Sequence, residues 1–437
     1  MTPSHADALE PVRVLQQQRR PAEGLQLLLN AGWPSPDPAA WLLRGQLEHQ
    51  LGRYSDAVCS LAMAVAEPSL ARDASYHLAE AQRSLGQFDQ AAAWFLAALR
   101  HDPEHRFSHN SLQFTRFSAT LLPRVIEAYR ALVAAAPQQP FPRQLLAHYV
   151  LRSGDTAQAT AINRQASRLQ SRGAELLLEP ADPSATLPAF LVLGVPKGGT
   201  SSLLAWLATH PQLWCHPRKE LHFFDLDWQH GPDWYASHFP PLHPEALIRC
   251  GEATPNYFQL PEGPERVRAL LPQARLIVLL RDPLQRALSW LQHLRRYEGL
   301  QGDPATLLLQ ECDQLEQLQN ADPAAFEASG FRWPNALLGS CYNAPLRRWQ
   351  AAVPPGQLLV LRSEQLFATP QATLQQIAAF LGVAPQWPWG DLPPFNVSPQ
   401  PPPPLPVELC SRLELLLQRH SAWALSQAVV PAAADGP

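Results

Sequence analysis

Two periods of hydrophobic and polar positions divide the chain. From about residue 40 to residue 165, apolar positions recur at helical spacing, Ala, Leu and Gln are abundant, and no alternating run reads as a strand. A longer period is laid over the first. Gly52, Gly86 and Gly154 stand at intervals of 34 and 68, and Ala57, Ala91 and Ala159 keep the same phase. Tyr54 matches Phe88, Leu61 matches Phe95 and Tyr129, and Pro103 matches Pro137. The copy over 106–137 is degenerate, with Thr120 where the glycine is expected, and residues 10–35 read as a poorer unit, out of phase by one. The pattern changes after LEPADPSATLP (178–188), which carries three prolines. The runs PAFLVLGV (188–195), ARLIVLL (274–280) and QLLVLR (357–362) are short, apolar and each followed by polar or turn residues, with helical patterns between them. That alternation predicts a parallel sheet with helices on its faces. The expected fold is multidomain: an α-helical repeat domain over 1–177, a linker over 178–187, and an α/β parallel-sheet domain over 188–437.

The 34-residue period, with LGRYSDAVCSLAMAV overlaying LGQFDQAAAWFLAAL, resembles the tetratricopeptide repeat. In such arrays small residues let two helices pack closely and an aromatic fills the gap to the next unit. The resemblance implies a docking surface for a protein partner, with a structural cap for the following domain as the plainer alternative.

Composition narrows the function. A length of 437 residues exceeds one ordinary core, and 46% hydrophobic content is that of a globular protein. A net charge of −4 supplies no global field toward nucleic acid or acidic lipid, so any anion site must be local. No run approaches the roughly 20 apolar residues of a membrane helix. MTPSHADALEPV has neither the basic nor the apolar region of a signal peptide. The six cysteines are scattered without a C-x-x-C pair, which speaks against a metal site or disulfide framework. A cytoplasmic protein is expected.

The chemistry concentrates in FLVLGVPKGGTSSLLAWL (190–207). A strand, a glycine turn and a helix start present backbone amides and the positive end of a helix dipole to one point. Lys197 adds a full charge, and it is one of only two lysines, with Lys219, among 34 basic residues. Gly198, Gly199, Thr200, Ser201 and Ser202 are the expected phosphate cradle. A second cationic strand end follows in LLRDPLQRALSW: Asp282 suits an N-cap, Pro283 suits the first helical position, and Arg281 with Ser289 could grip one phosphate from two sides. Taken alone, that spacing is weak. The Walker A order fails, because Thr200 stands where a P-loop places its lysine. A P-loop-type kinase or ATPase stays open as the alternative, as does a non-catalytic repeat scaffold with a decayed transferase domain.

PKGGTSSL resembles the 5′-phosphosulfate loop of sulfotransferases, and RDPLQRALS their 3′-phosphate motif. KELHFFD is similar to the acceptor-site segment of the heparan sulfate type, and the likeness runs over roughly 188–385. It implies 3′-phosphoadenosine 5′-phosphosulfate (PAPS) as donor, without a metal, and a hydroxyl or amine acceptor of carbohydrate or small-molecule kind. The implied roles are Glu220 as catalytic base, Lys197 on the leaving phosphate oxygen, and Arg281 with Ser289 on the 3′-phosphate. His222 and Asp225 match positions that orient acceptor and base, with Lys219 beside them on the substrate side. Two departures stand out: Ala253 replaces the lysine usual in GEATPNYF, and FNVSPQPPPPLP (395–406) replaces the Lys-Gly-Arg loop. The acidic stretch 298–336 is read as a poor surface for a polyanion. Trp228, Trp234, Tyr235 and Tyr257 are candidates for a sugar platform, with core packing at least as good a reading.

Overall fold

The structure, a computed structural model, describes residues 5–32, 37–171, 187–241, 248–328, 335–395 and 404–429. The described residues fall into two compact units. The first comprises Met1–Pro137 with Gln292–Gln301, and the second takes Gln138–Leu291, Gly302–Val397 and Pro402–Pro437. Of the expected linker, residues 178–186 lie outside the described residues.

In the first unit the helices pair along the chain: Pro38–Gln50 with Tyr54–Ala64, Ala71–Ser84 with Phe88–His101, and Arg106–Gln113 with Leu122–Ala135. The repeat has a physical cause at each phase. Gly52 and Gly86 adopt φ of +77° and +74° in the turn inside each pair, and a Cβ there would meet nothing within 4 Å. Their requirement is therefore backbone conformation rather than space. At Gly45 the reverse holds: a Cβ would fall 2.4 Å from Leu61 Cγ, so this helix approaches its partner through a missing side chain. Ala57 and Ala91 are fully buried at the same phase, as are Leu61, Phe95 and Tyr129. A further pair, His5–Gln17 and Pro21–Asn30, precedes them.

The second unit holds one more helix pair, Pro140–Arg152 and Thr156–Ser171, with Gly154 at φ +96° in its turn. Its sheet consists of β1 (Phe190–Gly194), β2 (Leu213–Cys215), β3 (Arg249–Ala253), β4 (Arg275–Leu280) and β5 (Leu358–Arg362). All neighbours are parallel, in the order β2-β3-β1-β4-β5. Every residue of β1 is buried, as expected for a central strand covered on both faces. Phe190 and Val192 pack with Leu203, Trp206 and Leu207 of the helix Thr200–Leu207, and with Ile277 and Leu279 of β4. Gly251 is dictated by that packing, since a Cβ would lie 2.2 Å from the Phe190 ring.

The chain runs from β1 out to β2, returns to β3 beside β1, and then crosses to β4 and β5 on the other side. The order reverses around β1, and ligands of open parallel sheets bind at the carboxyl ends of strands where it does so. That end of β1 carries the glycine turn.

Candidate active site

Between Gly194 and Thr200 the turn is shaped by contacts on both sides. A Cβ on Gly198 would lie 2.7 Å from the Leu279 carbonyl oxygen and 2.9 Å from that of Val195. These are backbone atoms with no freedom to withdraw. Gly199 has φ +91°, and a Cβ there would meet the Phe367 ring at 2.9 Å. Lys197 also takes a positive φ, +69°. The first bond of the following helix runs from Leu203 N to Gly199 O, 3.0 Å, so the amides ahead of it have no carbonyl of the helix to bond. The Ser202 hydroxyl is buried and accepts Phe395 N at 2.9 Å, which leaves the backbone of Ser202, not its side chain, for an anion.

Arg281, at the end of β4, donates from Nη1 to Lys197 O at 3.1 Å. Asp282 does not pair with it. Its carboxylate accepts Gln285 N at 2.8 Å, the N-cap bond expected from the sequence. Ser289 lies half-buried on the helix Pro283–Tyr297 and is joined to none of the other candidates by a hydrogen bond. Burial pushes the Lys197 ammonium down to about 8, with Lys219, Arg281 and Arg286 adding positive charge and Glu220 opposing.

On the other flank, Lys219 Nζ pairs with Glu220 Oε1. Glu220 Oε2 lies 3.6 Å from His222 Nε2, and His222 Nδ1 is 2.8 Å from Asp225 Oδ2. The four groups form an alternating chain of charge. Burial alone would favour neutral forms, yet Asp225 and Glu220 raise the His222 imidazole to about 10. Burial likewise disfavours the Glu220 carboxylate, but Lys219 and His222 hold its pKa well below the ordinary carboxylate range. Glu220 and His222 sit at φ +64° and +59°. Left-handed backbone at two non-glycine residues is strain of the sort found where side chains must be aimed. β3 supports both: Glu220 N donates to Ala253 O at 3.1 Å, and His222 N to Thr254 Oγ1 at 3.3 Å. Thr254 in turn donates to Glu252 Oε2 at 2.8 Å, and Tyr235 donates to Oε1 at 3.2 Å. Burial raises Glu252 to about 7.

The segment that delivers Lys219 is anchored from within its own unit. Arg218 is buried with Nη2 3.0 Å from His148 Nδ1, and Ser167 Oγ donates to Ser237 O at 2.7 Å. His148 and Ser167 belong to the helix pair 140–171.

Sequence reasoning missed Arg286, Glu252, Thr254 and Ser363. Arg286 is fully buried, donating from Nε to Pro196 O at 3.0 Å and from Nη1 to Ala336 O at 2.7 Å. Its position among Pro283, Ala287 and Leu288, on the buried face of an amphipathic helix, was the available signal. Two surface readings change. Trp234, Tyr235 and Tyr257 are core, the Tyr235 ring stacked on Phe223 at 4.3 Å, so only Trp228 keeps a partly open face. The acidic stretch is not a bare acidic surface: Glu311 accepts the amides of Ala336, Leu337 and Leu338, and Asp313 and Glu316 pair with Arg412. FNVSPQPPPPLP lies outside the described residues from 396 to 403. No group of three or more His, Cys, Asp or Glu that could hold a metal occurs among the described residues.

A doubly covered parallel sheet with a cationic glycine turn at its switch point defines an anion-gripping α/β domain. Comparison with known proteins refines this. The sulfotransferase-domain family profile matches residues 187–387, so this part of the chain is similar to that family. The human bifunctional heparan sulfate N-deacetylase/N-sulfotransferase 3 is 34% identical over 207 residues, 46% of this chain and 23% of that protein. The mouse heparan sulfate glucosamine 3-O-sulfotransferase 3A1 is 32% identical over 219 residues, 48% of each chain. The chain thus spans less than half the length of either curated relative. A sulfotransferase structure from Alicyclobacillus acidocaldarius overlays 56% of this chain and 98% of its own, at 23% identity and a TM-score of 0.42.

Proposed function

We propose that the second unit transfers the sulfuryl group of PAPS to a hydroxyl or amine of a carbohydrate or small-molecule acceptor. The observation that carries this is the meeting of two cationic strand ends with an alternating chain of charge: Arg281 binds the backbone of Lys197, and Lys197 feels both Lys219 and Glu220. Donors preorganised toward a departing phosphate oxygen are the largest single lever in group transfer. Lys197 and the amides of the glycine turn occupy that role, and Arg281 and Ser289 serve the second phosphate. Glu220, ionised at neutral pH, accepts the acceptor's proton. His222 is an imidazolium and so cannot be the base, but it can donate toward an acceptor oxygen while Asp225 fixes its ring.

The left-handed backbone at Gly199, directly ahead of the helix Thr200–Leu207, fits a phosphate approaching the helix start. The order of the turn, with lysine ahead of the glycine pair, does not favour a kinase or ATPase. The relatives named above act on heparan sulfate by name, which supports a carbohydrate acceptor. The helix pairs starting at 38, 71, 106 and 140 support tetratricopeptide-like repeats that dock a protein partner. Six cysteines without a disulfide accord with a cytoplasmic site.

The test is transfer of labelled sulfate from PAPS to a panel of glycans and phenols. Lys197→Ala and Glu220→Gln should each lower kcat by a factor of about 10² or more, measured well below the unfolding midpoint of each variant, where circular dichroism shows it folded. Full activity in Glu220→Gln would remove it from the chemistry, and absence of metal-free binding of adenosine 3′,5′-bisphosphate would remove the donor.

A further inference from the structure

Three consecutive carbonyls of the glycine turn each accept a hydrogen bond from a side chain on a different part of the sheet. Pro196 O takes Arg286 Nε at 3.0 Å, Lys197 O takes Arg281 Nη1 at 3.1 Å, and Gly198 O takes Ser363 Oγ at 2.7 Å. Arg281 ends β4, Arg286 lies in the first turn of the following helix, and Ser363 is the first residue after β5. The strand order makes this possible, because β4 and β5 lie successively beyond β1 with their carboxyl ends together.

A peptide group is planar, with its N–H opposite its C=O. Tying the carbonyl of Pro196 therefore aims the Lys197 amide the other way, and tying that of Gly198 aims the Gly199 amide. The Gly198 amide is already committed to Val195 O at 2.9 Å. The clamps thus sort the amides of the turn into one internal bond and two that face outward toward an anion. Ser363 is 4% exposed, and its neighbour in the same helix, Phe367, closes the underside of Gly199.

We infer that Ser363 is a positioning residue for donor binding, acting through the Gly198 carbonyl to hold the Gly199 amide toward the 5′-phosphate. It rests on the donor reading above, and its test is arranged to separate the two. Ser363 touches no reacting atom. Its hydroxyl supplies preorganisation, so its loss should weaken donor affinity without altering the acceptor side.

Ser363→Ala removes one hydroxyl and leaves Arg281 and Arg286 in place, whereas replacing the fully buried Arg286 would disturb three other contacts. Calorimetry with adenosine 3′,5′-bisphosphate should show affinity reduced about fivefold to tenfold, with acceptor KM unchanged. Hydrogen exchange of the peptide covering 195–202 should be faster in the variant than in wild type without ligand. Equal affinity in the two proteins, or a Ser363→Ala protein with a lowered unfolding midpoint but an unchanged exchange rate in this peptide, overturns the clamp. Should wild type bind no nucleotide, the donor reading falls by itself. The exchange comparison then still decides the clamp, faster exchange upholding it and equal exchange refuting it.

Discussion

Replacing Asp225 with Asn should make the stability of this protein depend on pH in a defined direction. Asn keeps an oxygen that can accept the His222 Nδ1 proton at the observed 2.8 Å, so the geometry survives while the negative charge is lost. In the wild type the imidazole is raised from 6.5 to about 10, with Asp225 the first of the groups that raise it. One pKa unit corresponds to about 1.4 kcal/mol, so the whole rise is worth about 5 kcal/mol; Asp225 and Glu220 share it, and an even split gives Asp225 about 2 kcal/mol. A group whose pKa is raised by folding stabilises fully below its unfolded value and loses that contribution as pH climbs through its folded value. The deficit of Asp225→Asn should therefore be largest at pH 6, about 2 kcal/mol, and shrink between pH 6.5 and 10. Urea unfolding of both proteins at pH 6, 7.5, 9 and 10 reads it, and proton NMR of His222 should place the variant's midpoint well below that of wild type. A deficit that is flat with pH, or an unmoved His222 midpoint, refutes the charge-chain account.

Two further outcomes follow from the same groups. Lys219→Ala removes the cation that leads in depressing Glu220, so the acid limb of the pH–rate profile for sulfate transfer should move to higher pH; an unmoved limb would show that Glu220 is not the titrating base. Glu252 is raised by burial to about 7, so wild type loses stability as pH rises from about 4.5 through 7. Glu252→Gln abolishes that loss, and thermal unfolding should show its stability relative to wild type increasing between pH 5 and 8.

The parts of the site that were legible in the sequence are those where local chemistry and local structure coincide. PKGGTSSL announces a turn and a helix start, RDP announces a cap, and both occur where they were read. β1, β4 and β5 were visible because their burial on two faces demands unbroken apolar runs. β2 and β3 were not. LWC is too short to carry a period, and RCGEA hides a central strand behind a glycine forced by the Phe190 ring and a glutamate held by Tyr235 and Thr254. Arg286 and Ser363 escaped for a related reason. Each works on a backbone carbonyl far away in the chain, and nothing in the residues around them encodes that partner. The aromatic residues after KELHFFD were ambiguous because Trp and Tyr serve equally as platform and as core, and only burial decides between them.

The scarcity of lysine turns the Lys197 environment into a handle for experiment. With only two side-chain amines in 437 residues, an acylating reagent has almost nothing else to modify. Lys219 is engaged by the Glu220 carboxylate, whereas Lys197, at about 8, is roughly one-quarter free amine at pH 7.5. Burial thus leaves part of the amine at the centre of the turn unprotonated near neutral pH. Labelling at near-neutral pH would tag that position in the 437-residue chain without mutagenesis, and the labelled fraction would serve as a direct gauge of how much of the turn any added anion covers.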